Sequence, residues 1–412
     1  MNIKYKLSKY NIQKENNGII KVYNTYTNKC FEYPKVIYDR LISIALEHET
    51  PLLDAGIVVP IDLNEKQRVI DEAYETCFNY DTLSLVIAPT MSCCYKCKYC
   101  FEYDNLCQDA FMSIKTMNDT VEFIKQQVEK HKGTVKRIKI KWFGGEPLLQ
   151  KEAIKYLTDE IIEKVLKPYH LMYKATMYSN CRLLTEETAI MLKECNISNV
   201  TVTIDGLKAT YVLQKGCTDK DYDITLENIK RTEKILPRIT VAINVAKVNK
   251  DEVIDTIKYL RDHGINSNIY LNRMLCYTEE STENNDITYD EFKNVCDSVA
   301  NIANVITPSL FSRRKCTCEA SLDYHYVIGH DGHIYRCEHL LNMKEHSIGT
   351  VKDGIHNKPV KPDIWVNNHI PEKCLECPIF PICNLNACTT NSLMYQINMD
   401  CEQRIQNTIN KM

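Results

Sequence analysis

The sequence predicts an α/β protein. A parallel sheet, open or curled into a partial (β/α)6 barrel, lies between a small N-terminal α+β unit and an irregular, cysteine-rich C-terminal region. Three observations lead there. Six strand-like runs alternate with amphipathic helical stretches across residues 82–273. The first 80 residues carry short strand and helix patterns of their own. Eight of the twenty cysteines in this 412-residue chain lie from Cys316 onward.

In the first region, 1–80, residues 19–23 and 30–33 flank a polar turn and read as a hairpin. Val36, Ile37, Leu41, Ile42, Ala45 and Leu46 recur at helical spacing, which predicts a helix over 36–48. A short strand over 56–61 and a helix over 64–77 follow. The second region, 81–305, holds the strand runs 82–88, 137–143, 172–178, 199–204, 239–245 and 268–273. The stretch 153–165 places Ile154, Leu157, Ile161, Ile162 and Val165 on one helical face, and 253–260 does the same with Val253, Ile254, Ile257 and Leu260. A polar loop over 277–287 and a helix near 289–304 close this region. Ligands are expected at the C-terminal ends of its strands. The third region, 306–412, has the cysteine density of a metal-organised domain.

Composition narrows the function classes. Hydrophobic content of 44% and charged content of 25% are ordinary for a soluble globular chain. With 51 basic against 54 acidic residues the net charge is −3, so no broad nucleic-acid or anionic-membrane surface is expected. The N-terminus lacks the apolar core of a secretory signal, and no run of 18 apolar residues occurs. These features predict a cytoplasmic protein. Structural disulfides are rare in that reducing compartment, which leaves metal ligation or catalysis to explain the cysteines. The twelve glycines form neither dinucleotide nor P-loop fingerprints.

The first cysteine cluster directly follows the first strand of the middle region. It reads Cys93-x3-Cys97-x2-Cys100, with Cys94 and Tyr99 inside it. Three thiolates on a tight loop can hold three corners of a [4Fe–4S] cubane and leave one iron open. A structural zinc site with Cys94 as fourth ligand is the other reading of the loop. The sole Gly-Gly pair, Gly144-Gly145, ends the second strand and leads into Glu146-Pro147. Paired glycines allow close backbone approach to a ligand, and a carboxylate beside them can meet an ammonium. Plain strand-to-helix turn chemistry with Pro147 is the alternative. Ser179-Asn180 and Asp205-Gly206 follow the third and fourth strands, and Asn244 lies in the fifth. Turn capping by Asn180 and Asp205 is the competing account.

This constellation resembles the radical S-adenosylmethionine (SAM) enzymes, whose fold is a partial TIM-like barrel. The resemblance implies that Cys93, Cys97 and Cys100 hold the SAM-cleaving cluster, with Tyr99 at the family's aromatic position. Gly144, Gly145, Glu146 and Pro147 look like the family's GGEP motif, which holds the SAM amino group. Ser179, Asn180, Asp205 and Asn244 stand where the family contacts the rest of SAM. Cys181 replaces the usual glycine after Asn180. By the same resemblance, SAM is cleaved reductively to methionine and a 5′-deoxyadenosyl radical.

The later cysteines Cys318, Cys337, Cys374, Cys377 and Cys383 are spaced like a SPASM domain, the auxiliary-cluster extension of peptide- and protein-modifying members. The interval from Cys383 to Cys388 is one residue longer than the common pattern. The family's interleaving implies Cys318, Cys337 and Cys388 on one auxiliary cluster, with Cys316 as an available fourth ligand, and Cys374, Cys377, Cys383 and Cys401 on the other. Zinc is the competing reading of Cys374-x2-Cys377. His339 is expected beside the ligands or at the surface. Cys30, Cys77, Cys107, Cys181, Cys195, Cys217, Cys276 and Cys296 show no ligand spacing and are expected to be inert.

Taken together, the resemblance implies a radical SAM/SPASM peptide maturase with SAM and three [4Fe–4S] clusters. Its partners would be a ribosomally made, cysteine-containing precursor peptide and an electron donor such as flavodoxin or ferredoxin. The reaction would be oxidative formation of a thioether or other side-chain crosslink. Residues 1–80 are similar in outline to a winged-helix leader-recognition element. No catalytic acid or base is assigned; Glu102, Tyr103 and Tyr211 lie near the motifs. Two other readings are a protein oxidase of the anaerobic sulfatase-maturating type, forming formylglycine, and a zinc-organised binding protein.

Overall fold

The computed structural model describes residues 4–102, 106–274, 285–308, 313, 315, 318–356, 372–383, 405, 408 and 409. Contacts group the chain into two compact units. One combines Met1–Asn79 with Ser309–Asp323 and Val360–Met412; the other combines Tyr80–Pro308 with Tyr324–Pro359.

In the first unit, β1 (Tyr5–Leu7) precedes an antiparallel meander of β2 (Asn11–Asn16), β3 (Ile19–Asn24) and β4 (Lys29–Pro34). Helices α1 (Lys35–Ala45) and α2 (Pro51–Asp54), strand β5 (Val58–Pro60) and helix α3 (Glu65–Cys77) follow, with β5 returning to pair with β1. The expected hairpin, strand and two helices are all present, and β1 and β2 are additional. Strands β2 and β3 meet through Asn17-Gly18, both at positive φ (49° and 73°), the conformation a two-residue type I′ hairpin requires. Ile20, Val22, Tyr38, Leu52, Ile57 and Val58 form the core of this unit, so alternate residues of β3 face α1. The side chain of Asn64 caps α3 by accepting from the Gln67 amide.

The second unit is built on β6 (Thr82–Ile87), α4 (Ile114–Lys130), β7 (Arg137–Trp142), α5 (Lys151–Ile161), β8 (Met172–Tyr178), α6 (Glu186–Glu194) and β9 (Ile197–Thr203). It continues through α7 (Lys208–Lys215), α8 (Asp219–Thr232), β10 (Ile239–Val245), α9 (Val253–Asp262), β11 (Asn268–Arg273), α10 (Tyr289–Val299) and β12 (Val305–Ile306). All six expected strands are there, each parallel to its neighbour in the order β11-β10-β9-β8-β7-β6. The helix expected over 153–165 is α5 running into a π-helical turn at Ile162–Leu166. The polar loop expected over 277–287 falls mostly outside the described residues.

One feature was not expected. The sheet continues beyond β6 through β13 (His325–Ile328), parallel to β6, and then β14 (His333–Tyr335), β15 (Gly349–Thr350) and β16 (Gly354–Ile355) as antiparallel neighbours. Residues 325–355, read from sequence as part of an irregular region, therefore extend the main sheet.

The two faces of this sheet differ. Leu83, Leu85, Ile138, Ile140, Trp142, Ala175, Met177, Val200 and Val202 pack under the helices with Phe123, Ile154 and Leu157. Strand side chains alternate between faces, so Lys139, Lys141, Lys174, Thr176, Asn199 and Thr201 take the other, polar face. That alternation is what a barrel covered by helices outside and open inside requires. Among the described residues no helix is long and apolar enough to cross a membrane.

Candidate functional site

The chain between β6 and α4 leaves the sheet and returns to it. Its neck is closed by a bridge between Thr90 and Phe111 and by bonds from the Met91 amide to Ala110 O (3.0 Å) and from the Cys107 amide to Met91 O (3.2 Å). The three-cysteine segment therefore sits on a loop with a fixed base. Its far side is tied to the end of α7: the Lys96 amide donates to Lys215 O (3.1 Å) and the Lys98 amide to Gln214 O (2.9 Å). Buried Tyr95 adds a hydroxyl contact to Thr225 at 3.2 Å. Cys93, Cys97 and Cys100 are half-buried, and Cys94 is exposed.

The Gly144-Gly145 turn packs against this neck. The Gly145 amide donates to Thr90 O (3.2 Å) and the Glu146 amide to Ser92 O (2.8 Å). A Cβ at Gly145 would stand 2.3 Å from Ser92 O, and one at Gly144 2.4 Å from Thr90 O. Both positions need glycine because the two backbones touch. Pro147 is buried and opens a 3₁₀ turn, Pro147–Gln150, capped by the Glu146 side chain.

Glu146 is fully buried. Its Oε1 accepts from the Leu148 amide (3.0 Å) and the Ser179 hydroxyl (2.8 Å), and its Oε2 from the Asn180 amide (2.8 Å). Burial pushes this carboxyl up, while the bonds from Asn180, Leu148 and Ser179 pull it down. The Asn180 side chain reaches the cysteine loop, donating to Cys94 Sγ at 3.2 Å. Cys181, in the family's glycine position, keeps the left-handed conformation at φ 59°. It holds a backbone geometry that glycine adopts at no steric cost.

A second cluster forms at the end of β9. Asp205 is fully buried, and its Oδ1 accepts from the Asn244 amide (2.9 Å). Its Oδ2 accepts from the Tyr99 hydroxyl and pairs with Lys215 Nζ at 3.2 Å. Lys215 also donates to Tyr99 Oη (2.5 Å) and to the Thr203 hydroxyl. Burial works against its charge, but Tyr99 and Asp205 outweigh it and hold the ammonium pKa above its usual range. The Asn244 backbone thus serves Asp205, while its side-chain Oδ1 lies 3.4 Å from the Asn272 amide nitrogen. Lys215 was missed in the sequence. Its partners Tyr99, Thr203 and Asp205 come from elements distant in sequence, so no local pattern marked it.

The remaining candidates fall as follows. Glu102 is buried, its Oε1 has no hydrogen-bond partner among the described residues, and burial together with Glu338 pushes its carboxyl up to about 8. The His339 ring stacks on Phe101 at 3.8 Å. Cys337 follows β14. Cys374 and Cys377 lie on and just after the turn Glu372–Leu375, and Cys383 ends Phe380–Cys383. Cys318 is exposed in the first unit. Tyr103, Cys316, Cys388 and Cys401 lie outside the described residues. Among the described residues no three His, Cys, Asp or Glu side chains converge as the ligands of one metal ion.

Residues 87–288 match the family model of the radical SAM superfamily. This segment is a radical SAM domain. Such a domain marks an enzyme that works with SAM and a [4Fe–4S] cluster. The cysteine loop offers three thiols on a base pinned at both ends, against a turn that glycine alone can form. A GTP 3′,8-cyclase of Helicobacter pylori (strain HPAG1) is 31% identical over 180 residues, 43% of this chain and 52% of that protein. The chain thus spans about half the length of the curated relatives it matches. Two solved structures share the fold. Native anSMEcpe with bound AdoMet and Cp18Cys peptide aligns at TM-score 0.55 and 18% identity, covering 80% of this chain and 99% of that one. Streptococcus suis SuiB bound to precursor peptide SuiA aligns at 0.51 and 14%, covering 92% and 94%.

Proposed function

We propose that this radical SAM enzyme matures a ribosomally made precursor peptide by oxidative formation of a thioether or other side-chain crosslink. The observation that carries the reading is the meeting of three motifs at the strand ends: the cysteine loop, the Glu146–Ser179–Asn180 cluster and the Asp205–Tyr99–Lys215 cluster. The cluster of Cys93, Cys97 and Cys100 with bound SAM would supply the hydrogen-abstracting radical chemistry. Glu146 would take an ammonium, and Lys215, paired with Asp205, would lend a buried cation to a carboxylate. Together with Ser179, Asn180 and Asp205 they would orient an amino acid in a site that excludes water.

The peptide substrate is supported by the two structural neighbours, both of which hold peptides. Leader docking is assigned to residues 1–80. There β4 is an edge strand of its sheet, and α1 leaves Val36 (79% exposed) and Ile37 uncovered, as strand addition beside an apolar helix face would use. The barrel is assigned to 81–305 and two auxiliary [4Fe–4S] clusters to 306–412. Cys318, Cys337, Cys388 and Cys316 would hold one, and Cys374, Cys377, Cys383 and Cys401 the other. One of these clusters would accept the surplus electron of crosslinking, and a flavodoxin or ferredoxin would deliver electrons for SAM cleavage.

Co-expression with a short cysteine-rich peptide, read by mass spectrometry, tests the reaction. Loss of two hydrogens is the expected result. An unchanged mass counts against crosslinking, and an aldehyde product would assign the protein-oxidase reaction instead.

A further inference from the structure

The polar face of the sheet carries a stripe of cations. Strand β7 reads Arg137-Ile-Lys139-Ile-Lys141-Trp142, so every second residue is basic. Ile138, Ile140 and Trp142 are buried on the helix side, which puts Arg137, Lys139 and Lys141 together on the open face. Lys174 of β8 shares that face, because Ala175 and Met177 lie in the helix-side core.

Two of these four charges are met by acids: Arg137 by Asp81 at 3.8 Å and Lys141 by Glu338 at 3.0 Å. The other two stand directly opposite each other in the sheet register, Lys139 beside Lys174. Both are exposed, and neither has an ion-pair partner among the described residues. Their row continues through Ser84 to His325, which adds no negative charge. Like charges placed opposite each other on adjacent strands repel. Two uncompensated ammonium groups on the open face of a chain with net charge −3 form a local site for carboxylates.

We propose that Lys139 and Lys174 receive an acidic stretch of the peptide substrate. This rests on the peptide-maturase reading and adds a rule for the substrate sequence. Lys139 is four residues before Phe143, which abuts the Gly144-Gly145 turn. At about 3.3 Å per residue an extended peptide covers that span in about four residues. An acidic stretch held there lies about four extended residues from Phe143.

The test is fluorescence anisotropy with the full-length protein. The probe is a labelled cysteine-containing peptide with two adjacent glutamates, compared with its glutamine twin. Wild type binds the glutamate peptide about tenfold more tightly at low salt, and the preference shrinks as salt rises. The exposed double variant Lys139→Gln/Lys174→Gln loses the preference, and Lys139→Arg/Lys174→Arg keeps it. Equal affinity for the twins, or a preference that survives in the glutamine variant, overturns the proposal. So does displacement of the probe by GTP more readily than by unlabelled glutamate peptide, which would assign the stripe to a nucleotide. Failure of the peptide-maturase reading shows separately, as unchanged peptide mass in the co-expression experiment.

Discussion

The Ser179 hydroxyl donates to Glu146 Oε1 at 2.8 Å, joining the turn after β7 to the turn after β8. Two motifs 33 residues apart in sequence thus become one buried anionic site, with the cysteine loop held against it through Ser92 O.

Glu146→Gln tests that site. The amide preserves shape and an acceptor for Ser179, but its nitrogen faces the Asn180 amide and its charge is gone. Hydrogen bonds to charged groups contribute about 1.5–3 kcal/mol. SAM affinity, measured by equilibrium dialysis on reconstituted enzyme, should fall about tenfold or more. Unchanged affinity would remove Glu146 from SAM binding.

Gly145→Ala puts a methyl group 2.3 Å from the Ser92 carbonyl oxygen, so one of two backbones must move. A cost of about 1–3 kcal/mol is expected from such overpacking. Thermal unfolding should show it, together with reduced iron retention. A variant with wild-type stability and iron content would show that the contact is dispensable.

The buried Lys215–Asp205 pair calls for a double-mutant cycle. Lys215→Met leaves Asp205 buried without its cation, a change that costs about 3–5 kcal/mol. Adding Asp205→Asn should recover much of the loss in urea unfolding. Additive effects would mean that the two charges do not act on each other.

His325 gives a pH dependence. It is fully buried, its Nδ1 lies 3.0 Å from the Ser84 hydroxyl, and burial, with Arg336 adding to it, lowers its pKa to about 3. The unfolded chain protonates this ring near pH 6.5 and the folded one only near 3. Its stabilisation is therefore complete above about pH 6.5 and is lost as pH falls toward 3, by at most about 5 kcal/mol. His325→Gln should unfold at lower pH than wild type in an acid titration followed by circular dichroism. A midpoint that does not move would contradict the buried neutral imidazole.

The barrel strands and both principal motifs were legible because strands 137–143 and 172–178 alternate cleanly and the cysteine spacing is specific. Other features were hidden for identifiable reasons. The hairpin at Asn17-Gly18 carries a strong local signal, but its first strand, Asn-Ile-Gln-Lys-Glu-Asn, is nearly all polar. Strands β13 to β16 are only two to four residues long and lie in a stretch dominated by cysteine spacing. Lys215 reads as an ordinary helix-end lysine until Asp205 and Tyr99 are seen beside it. Such a contact is between elements distant in sequence, and no local pattern encodes it.

The most direct test of the central claim is 5′-deoxyadenosine formation from SAM by anaerobically reconstituted, dithionite-reduced enzyme. The wild type is expected to form it, and a Cys93→Ala/Cys97→Ala/Cys100→Ala variant to form none while keeping the iron of other sites. Cleavage that persists in the triple variant, or a wild type that binds no iron and leaves SAM intact, would contradict the account.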